Sequence, residues 1–301
     1  MRAAVFDRYG PPEVLHIAEL ADPEPGPGQV RVRVRAAGVQ PFDVALRRGR
    51  MSRLPVRFPQ TIGQEYAGVV DRVGEGVSEQ RIGDDVLGST MLNANAALVC
   101  VPEKNVVLKP AELDFPTAAG LVAAAQTAAG ALADLAVGAG DVLLVHAAAG
   151  SVGTVAVQLA RLAGATVIGT ASPGNHDYLR GLGVIAVPYG PGLVEAVRAT
   201  GRTPTVALDA AGGVAIEQSV ALGIARDRIG TIVDDKTAAE QGTRVVRAPR
   251  DPARLGEVVA VAARGLLTMP IRAYPLAEVA EAHAAVESGH GRGKVVLIVE
   301  P

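Results

Sequence analysis

The sequence feature that most constrains the fold is the stretch DVLLVHAAAGSVG, residues 141–153. The branched apolar residues 142–145 predict a strand that is buried on both faces, as in a parallel sheet. Small residues follow, including Gly150 and Gly153, and residues 154–161 have the apolar spacing of a helix. A strand, a glycine turn and a helix in this order are typical of a dinucleotide-binding unit.

The glycine turn has the spacing Ala147-x-x-Gly150-x-x-Gly153, with alanine where the commoner fingerprint has its first glycine. Glycines let the backbone approach a pyrophosphate, and the following helix N-terminus offers unpaired N–H groups and a partial positive charge. A plain strand-to-helix turn is the alternative. The residues predicted to bind the phosphates of a cofactor are Ala149, Gly150, Ser151, Val152 and Gly153.

Charge and cysteine content exclude several classes of protein. The 301 residues carry a formal net charge of −2, which argues against a nucleic-acid-binding surface. One basic run (Arg47, Arg48, Arg50, Arg53 and Arg57) is interpreted as a solvated loop that could help to attract an anionic ligand. The single cysteine, Cys100, allows neither an internal disulfide nor a multi-cysteine zinc site, and its apolar neighbours predict a buried, unreactive thiol.

No membrane span is expected from the sequence. The N-terminus shows no apolar block of a signal peptide. Residues 118–159 are strongly apolar, but Gln126, Asp134, Asp141 and His146 interrupt them, so a clean span of about 20 residues is not expected. We therefore predict a cytoplasmic protein without a membrane or nucleic-acid partner.

The pattern of predicted elements changes near residue 116. Before it, short strands alternate with turns, and they predict a small β-barrel: residues 3–6, 15–20, 29–35, 69–73 and 85–87. Residues 36–43 are expected to break a strand and lead into a short helix. After residue 116, helices alternate with six candidate strands, which predicts a doubly wound parallel sheet. The last predicted strand, 294–299, is expected to return to the barrel.

Nearly the whole chain resembles the medium-chain dehydrogenase/reductase superfamily, and within it the zinc-free quinone oxidoreductase branch. Six motifs in the family's order carry the resemblance: AAGVQPFD (36–43), IGQEYAG (62–68), GDDVLG (83–88), VHAAAGSVG (145–153), LDAAGG (208–213) and ESGHGRGKVV (287–296). The resemblance implies an α/β protein with a GroES-like β-barrel catalytic domain (1–116 and 268–301) and a Rossmann cofactor domain (117–267). It also implies NAD(P)H-dependent reduction in the cleft between the domains, and a homodimer.

Two departures from the family pattern bear on the chemistry. Zinc-containing relatives have a cysteine in the stretch where Gln40 lies and Gly-His-Glu where residues 63–65 read Gly-Gln-Glu, so no metal site is expected here. Zinc-free relatives usually have asparagine in place of Gln40 and a tyrosine near residues 126–129, where this chain reads QTAA. These changes leave the substrate open.

The choice of nicotinamide cofactor is usually made at the end of the second strand of the doubly wound sheet. An acid about 20 residues past the glycines would bind the ribose 2′-hydroxyl of NADH. Here the strand ends in Thr170-Ala-Ser172 without an acid, which favours NADPH over NADH. The supporting residues are Ser172 and Asn175 as hydrogen-bond donors, His176 and Tyr189 by their positions in relatives, and Arg180 and Lys294 as cations.

Without zinc, hydrogen bonds must polarise the substrate carbonyl as charge builds on its oxygen. Gln40 is the first candidate donor, followed by Gln64 and Thr127, while Asp43 is expected to orient its neighbours. Tyr66 has a weaker claim as a donor, since a core tyrosine on a strand explains it equally well. His146 and His283 are interpreted as core residues, and His16 and His290 as surface or loop residues.

The leading hypothesis is an NADPH-dependent reductase of a quinone or an α,β-unsaturated carbonyl compound. An enoyl reductase that acts on an acyl or polyketide intermediate is the second hypothesis, which basic residues near 47–57 would favour. A nucleotide-binding protein without turnover is the third, since the residues at 40 and 129 depart from the family pattern.

Overall fold

The computed structural model describes residues 1–51, 54–289 and 291–300, so Arg53 and His290 lie outside the described residues. The chain forms two compact units. Unit 1 comprises Met1–Ala123, Asp251–Arg264 and Met269–Pro301, and unit 2 comprises Ala124–Arg250 and Gly265–Thr268. The expected domain ranges differ from these units mainly at residues 251–264, which pack with unit 1.

The strands formed by the described residues are, in chain order, β1 (Arg2–Phe6), β2 (Leu15–Glu19), β3 (Gln29–Val39), β4 (Gln60–Thr61), β5 (Glu65–Val73), β6 (Asp85–Ser89), β7 (Leu98–Pro102), β8 (Val106–Leu108), β9 (Val142–His146), β10 (Thr166–Ala171), β11 (Ile185–Pro188), β12 (Val206–Asp209), β13 (Ile229–Thr231), β14 (Arg244–Val245), β15 (Ile271–Pro275) and β16 (Lys294–Ile298). The α-helices are α1 (Pro41–Arg47), α2 (Phe115–Asp134), α3 (Ser151–Leu162), α4 (His176–Gly181), α5 (Leu193–Ala199), α6 (Ala215–Ala221), α7 (Asp235–Gln241), α8 (Pro252–Ala263) and α9 (Val279–Glu287). Short 3-10 helices lie at Pro12–Val14, Glu103–Asn105, Pro173–Asn175, Arg226–Arg228 and Leu276–Glu278.

Unit 1 is built on β-sheets with mostly antiparallel pairing. One sheet has the order β2-β1-β4, and the other has the order β15-β16-β3-β5-β6-β8, with β7 also pairing with β3. The last strand returns to the barrel as predicted, because β16 pairs antiparallel with β3 and places Val295 opposite Val39. Alternating apolar residues of these strands, such as Val30, Val32 and Val34, form the core of the unit.

Strand β3 is longer than predicted. The small residues 36–39 continue the strand to Val39 instead of breaking it. Gly38 is required inside the strand because a Cβ there would overlap the carboxylate of Glu65. The small residues that were interpreted as a break therefore make room for a buried side chain on the neighbouring strand.

Unit 2 contains the predicted doubly wound sheet. Its strands pair in parallel in the order β11-β10-β9-β12-β13-β14. The order reverses direction between β9 and β12, and ligands of such sheets bind outside the carboxyl ends of the strands at this switch point. The helix after the glycine turn begins at Ser151, three residues earlier than predicted.

One helix among the described residues, α2, is long and apolar enough by length and composition to cross a membrane. No such span was expected from the sequence, because Gln126 and Asp134 interrupt the apolar residues. Of the most apolar window in α2, 72% is buried inside the protein. Packing in the protein core therefore accounts for the apolar composition of this helix.

The basic run and Cys100 differ from their sequence-based interpretations. Arg47 is fully buried, and its guanidinium donates to the carbonyl of Gly10 at 2.6 Å and to Glu287 at 2.9 Å. Arg48 also pairs with Glu287. The prediction of a solvated loop was therefore wrong for Arg47, because a carboxylate 240 residues later compensates its charge. Cys100 is half-buried instead of buried.

His283 on α9 is a fully buried core residue, as expected, and neither ring nitrogen has a hydrogen-bond partner among the described residues. Burial, and then the charge of Arg47, lower its pKa to about 3. Because the folded pKa lies below the unfolded value, the contribution of neutral His283 to stability is complete above about pH 6.5. It is lost as the pH falls toward the folded pKa.

A His283→Leu variant tests this pH dependence. We expect the native protein to lose up to about 1.4 kcal/mol of unfolding free energy per pH unit through His283 as the pH falls from about 6.5 to about 5. Urea unfolding at several pH values should show a slope reduced by that amount in His283→Leu. His16→Leu, at an exposed histidine, is the control for the loss of a histidine side chain. An equal slope in native protein and His283→Leu would contradict the prediction.

Candidate active site

The glycine turn of unit 2 has a specific backbone geometry. Strand β9 ends at His146, and Ala147 has a φ of 57°, in the left-handed region that favours glycine. Its strain of about 1 kcal/mol explains why glycine is commoner at this position of the fingerprint. The N–H of Ala148 donates to the carbonyl of Thr170 at 2.9 Å, and the N–H of Gly150 donates to the carbonyl of Ala147 at 3.0 Å. The first bond ties the turn to β10, and the second closes the turn.

Gly150 and Gly153 serve different purposes. A Cβ on Gly153 would overlap the carbonyl of Ala147 and lie 2.7 Å from the Cα of Ala148, so glycine is needed there for the helix to pack on the turn. A Cβ on Gly150 would meet only the carbonyl of Ala147, at an ordinary 3.4 Å. The protein itself therefore does not require glycine at 150, and the space beside Gly150 is available to a ligand.

The first backbone amides of α3 are free to bind an anion. Gly150 is the N-cap, and α3 has no side-chain cap. Among the described residues, none accepts a hydrogen bond from the N–H groups of Ser151, Val152 or Gly153. Unsatisfied amides at a helix N-terminus, together with the helix dipole, form a phosphate-binding arrangement.

At the end of β10, polar groups take the place of a carboxylate. Asn175 donates from its side-chain amide to the Ser172 hydroxyl at 3.2 Å, and the His176 ring lies 3.1 Å from the carbonyl of Ala171. The next acid along the chain, Asp177, is exposed and paired with Arg180 at 2.6 Å. Arg180 was predicted to stabilise the cofactor with its positive charge, but here it forms an ion pair with a surface carboxylate.

Sequence reasoning missed a group of residues at the carboxyl ends of the strands. Buried Asp209 accepts the N–H groups of Ala211 and Gly212 at 2.8 Å each and the hydroxyl of Thr231 at 2.7 Å, and so shapes the turn after β12. Exposed apolar side chains follow three strands of this edge: Tyr189 (58% exposed), Val214 (59%) and Val233 (49%). Of these, only Tyr189 was predicted. Apolar residues directly after a strand are the signal that could have revealed the others.

His146 at the end of β9 is a packed core histidine, as expected. It is buried, and its Nε2 lies 2.9 Å from the hydroxyl of Ser219. Burial lowers its pKa to about 4, so the ring is neutral at physiological pH. Its contact with Ser219 links the end of β9 to α6.

In unit 1, the structure brings Gln40 and Asp43 together at the start of α1. Gln40 is the N-cap, and its backbone N–H donates to Asp43 Oδ2 at 2.8 Å. Asp43 is fully buried, and burial raises the pKa of its carboxyl to about 7. The side-chain nitrogen of Gln40 is enclosed and has no acceptor among the described residues. Gln40 therefore retains a hydrogen-bond donor that the described protein groups do not use.

The other predicted catalytic residues have different surroundings. The side-chain amide of Gln64 in unit 1 contacts Met91 Sδ at 3.8 Å. Thr127 is half-buried on the part of α2 that belongs to unit 2. Tyr66 is fully buried, and burial raises the pKa of its phenol, which favours the core tyrosine over the donor role.

Lys294, a predicted cofactor contact, lies buried in unit 1 and forms an ion pair with Glu65. The other carboxylate oxygen of Glu65 accepts the backbone N–H of Ala123 at 2.7 Å. The cofactor role of Lys294 stays a prediction, since its described partner is a carboxylate. Among the described residues there is no group of three His, Cys, Asp or Glu side chains that could hold a metal ion.

Two family models match the chain. The alcohol dehydrogenase GroES-like domain matches residues 26–146, and the zinc-binding dehydrogenase model matches residues 187–297. Together the two models match most of the chain to dehydrogenase families, which places it in the class of dehydrogenases and reductases with a GroES-like domain.

Relatives narrow this class. A quinone oxidoreductase of Lama guanicoe is 40% identical over 174 residues, which cover 57% of this chain and 52% of the relative. The chain thus spans about half the length of the curated relatives it matches first. The quinone oxidoreductase structure from Coxiella burnetii is 30% identical, with a TM-score of 0.89 and coverage of 100% of this chain and 99% of that one. The chain belongs to the medium-chain dehydrogenase/reductase superfamily, in its zinc-free quinone oxidoreductase branch.

Two further structures bear on cofactor and substrate. The Escherichia coli quinone oxidoreductase complexed with NADPH is 25% identical, with a TM-score of 0.87 and coverage of 99% of this chain and 100% of that one. The CurK enoyl reductase is 25% identical, with a TM-score of 0.87 and coverage of 99% of each chain. The similarities support an oxidoreductase, and its particular substrate is a matter for proposal.

Proposed function

We propose that the chain is an NADPH-dependent reductase that transfers a hydride to a quinone or to the β-carbon of an α,β-unsaturated carbonyl compound. The glycine turn carries this proposal. It combines three unbonded amides at the start of α3 with an open space beside Gly150, at the switch point of a doubly wound sheet. The described groups fit the pyrophosphate of a nicotinamide dinucleotide, because they offer several N–H donors and no carboxylate.

The bound nicotinamide would supply the hydride, and the protein supplies orientation and electrostatic stabilisation. The amides of Ser151, Val152 and Gly153 hold the pyrophosphate. The amide of Gln40 donates a hydrogen bond to the substrate carbonyl oxygen, where negative charge develops, with Gln64 and Thr127 as further candidate donors. Water delivers the proton that completes the reduction.

NADPH is favoured over NADH by the end of β10. A carboxylate there would accept the 2′-hydroxyl of NADH and repel the 2′-phosphate of NADPH. This strand is followed instead by Ser172, with Asn175 and His176 in the next turn and the exposed ring of Tyr189 after β11. These groups offer polar contacts to a phosphate without a competing negative charge.

A Ser172→Asp variant tests the cofactor preference. We expect its affinity for NADPH to fall at least about tenfold, which corresponds to about 1.4 kcal/mol, because the new carboxylate faces the 2′-phosphate. Its affinity for NADH should be unchanged or higher. Ser172→Asn, of nearly the same size and uncharged, is the control. A parallel loss for both cofactors in Ser172→Asp would place the 2′-phosphate elsewhere.

The enoyl reductase hypothesis is supported by the similarity to CurK and by the exposed Arg50 and Arg57, which could favour an anionic acyl carrier. Arg47 no longer contributes to this argument, because it is buried. A cofactor-oxidation assay separates the candidate functions. A small quinone, an α,β-unsaturated ketone and an enoyl thioester are each offered to the NADPH-loaded protein. Oxidation by the quinone or by the ketone supports the proposal, and oxidation by the thioester alone supports the enoyl reductase.

If NADPH binds and none of these compounds oxidises it, the proposed reductase activity is wrong and the non-catalytic hypothesis remains. The homodimer implied by the resemblance is a separate proposal. Light scattering of the purified protein tests it, and a mass near 30.7 kDa, that of one chain, would contradict it.

A further inference from the structure

Unit 1 buries two carboxylates and one ammonium, and one of the carboxylates, that of Asp43, is hydrogen-bonded to Gln40. Asp43 and Glu65 are fully buried, and Lys294 is 4% exposed. They come from α1, β5 and β16 respectively. Buried charges are costly unless they are paired, so three such groups in one core call for an explanation.

Glu65 is the carboxylate of this group whose two oxygens both have partners. One of its oxygens pairs with the ammonium of Lys294, and the other accepts the N–H of Ala123 at 2.7 Å. Gly38 leaves the space that the Glu65 side chain occupies. With both oxygens bound, the Glu65 side chain is fixed in place.

Asp43 is the carboxylate with only one hydrogen-bonded oxygen among the described residues. Its Oδ2 accepts the N–H of Gln40 at 2.8 Å, but its buried Oδ1 has no hydrogen-bond partner among the described residues. Burial disfavours the charged form of Asp43 and raises the pKa of its carboxyl. The backbone amide of Gln40, the ammonium of Lys294 and the backbone amide of Gly63 favour the charged form, whereas the carboxylate of Glu65 opposes it. These influences leave Asp43 close to balance between its charged and neutral forms at physiological pH.

We propose that Asp43 is a positioning residue for Gln40, and that the Glu65–Lys294 pair sets its charge. When Asp43 is ionised, a charge-assisted hydrogen bond holds the Gln40 backbone at the N-cap and thereby fixes where its side-chain amide points. When Asp43 is protonated, this bond weakens and Gln40 loses its fixed orientation. The inference rests on the proposed function in one respect, namely that Gln40 is the carbonyl donor.

The charges around Asp43 predict opposite effects for two substitutions. Lys294→Met removes the favourable charge, so Asp43 should ionise at a higher pH. Glu65→Gln removes the unfavourable charge, so Asp43 should ionise at a lower pH. Each midpoint should move by about one pH unit. The double variant Glu65→Gln/Lys294→Met replaces the ion pair by two neutral groups and should lie between the single variants.

The experiment is an NMR titration of the Gln40 backbone amide proton in the protein without substrate, from about pH 5 to about pH 9. In the native protein we expect this resonance to move with a midpoint near pH 7. The midpoint should shift in Lys294→Met and in Glu65→Gln, and the resonance should not titrate in Asp43→Asn. Because Lys294→Met leaves Glu65 unpaired, it can fail to fold, and the comparison of Glu65→Gln with the double variant then decides. A Gln40 amide that does not titrate, or that titrates equally in Asp43→Asn, would overturn the proposal.

Turnover provides the second readout. We expect kcat to rise with pH at the same midpoint as the amide signal, and this rise to be absent in Asp43→Asn while KM for NADPH is unchanged. A kcat profile that rises equally in Asp43→Asn would overturn the proposal. If no substrate is turned over, the proposed function fails, but the amide titration still tests the link between Asp43 and Gln40.

Discussion

A Gly150→Leu variant is expected to fold like the native protein and to lose at least about 100-fold in affinity for a nicotinamide dinucleotide, or about 2.7 kcal/mol. The backbone at Gly150 is extended (φ −72°, ψ 175°), which leucine adopts readily, and a Cβ there meets the described protein only at 3.4 Å. The leucine side chain would instead fill the space beside the free amides of α3. Calorimetric titration with NADPH and thermal unfolding measure the two properties.

Two other glycines provide controls for Gly150→Leu. Gly181→Leu places the same side chain on an exposed glycine of α4 with open space around it, and should bind NADPH normally. Gly153→Ala should lower stability by about 1–3 kcal/mol, because its Cβ would overlap the carbonyl of Ala147. Unchanged NADPH affinity in a folded Gly150→Leu would remove the pyrophosphate from this turn.

A Gln40→Leu variant is expected to lower kcat about 100-fold with little change in NADPH affinity. Leucine has a similar size but no N–H donor, so the developing charge on the substrate oxygen would lose its hydrogen bond. The loss should appear in kcat, because the interaction strengthens in the transition state. Steady-state kinetics with a quinone or an enone, together with NADPH titration, separate these quantities.

The matched control for Gln40→Leu is Gln29→Leu, since Gln29 makes a surface bond to the N–H of Gly26 at 3.0 Å. It should leave kcat unchanged. Native turnover in Gln40→Leu would mean that another group, with Gln64 and Thr127 as the next candidates, polarises the carbonyl.

Local patterns predicted the doubly wound sheet and its glycine turn well. Apolar runs such as 142–145 and the glycines at 150 and 153 specify strand, turn and helix within a few neighbouring residues. Gln40 became a candidate through the resemblance to the quinone oxidoreductase branch, and the structure places it at the start of α1. Its neighbour Asp43 follows from the spacing of an N-terminal helix cap.

Long-range pairings were not accessible to this reasoning. Arg47 lies among arginines, and its burial depends on Glu287 on a distant helix. Lys294 and Glu65 are far apart in sequence, and pairing between distant strands of one sheet brings them together. Gly38 was interpreted as a strand break because the side chain that needs its space, Glu65, belongs to another strand. Hydrophobic periodicity contains no information about such partners.

The most direct test of the account is a titration of the purified protein with NADPH and with NADH, followed by the addition of a small quinone or an α,β-unsaturated ketone to the bound complex. We predict one NADPH per chain, weaker binding of NADH, and oxidation of the bound NADPH by at least one of the two acceptors. Failure of both dinucleotides to bind would contradict the assignment of the glycine turn, on which the proposed function depends.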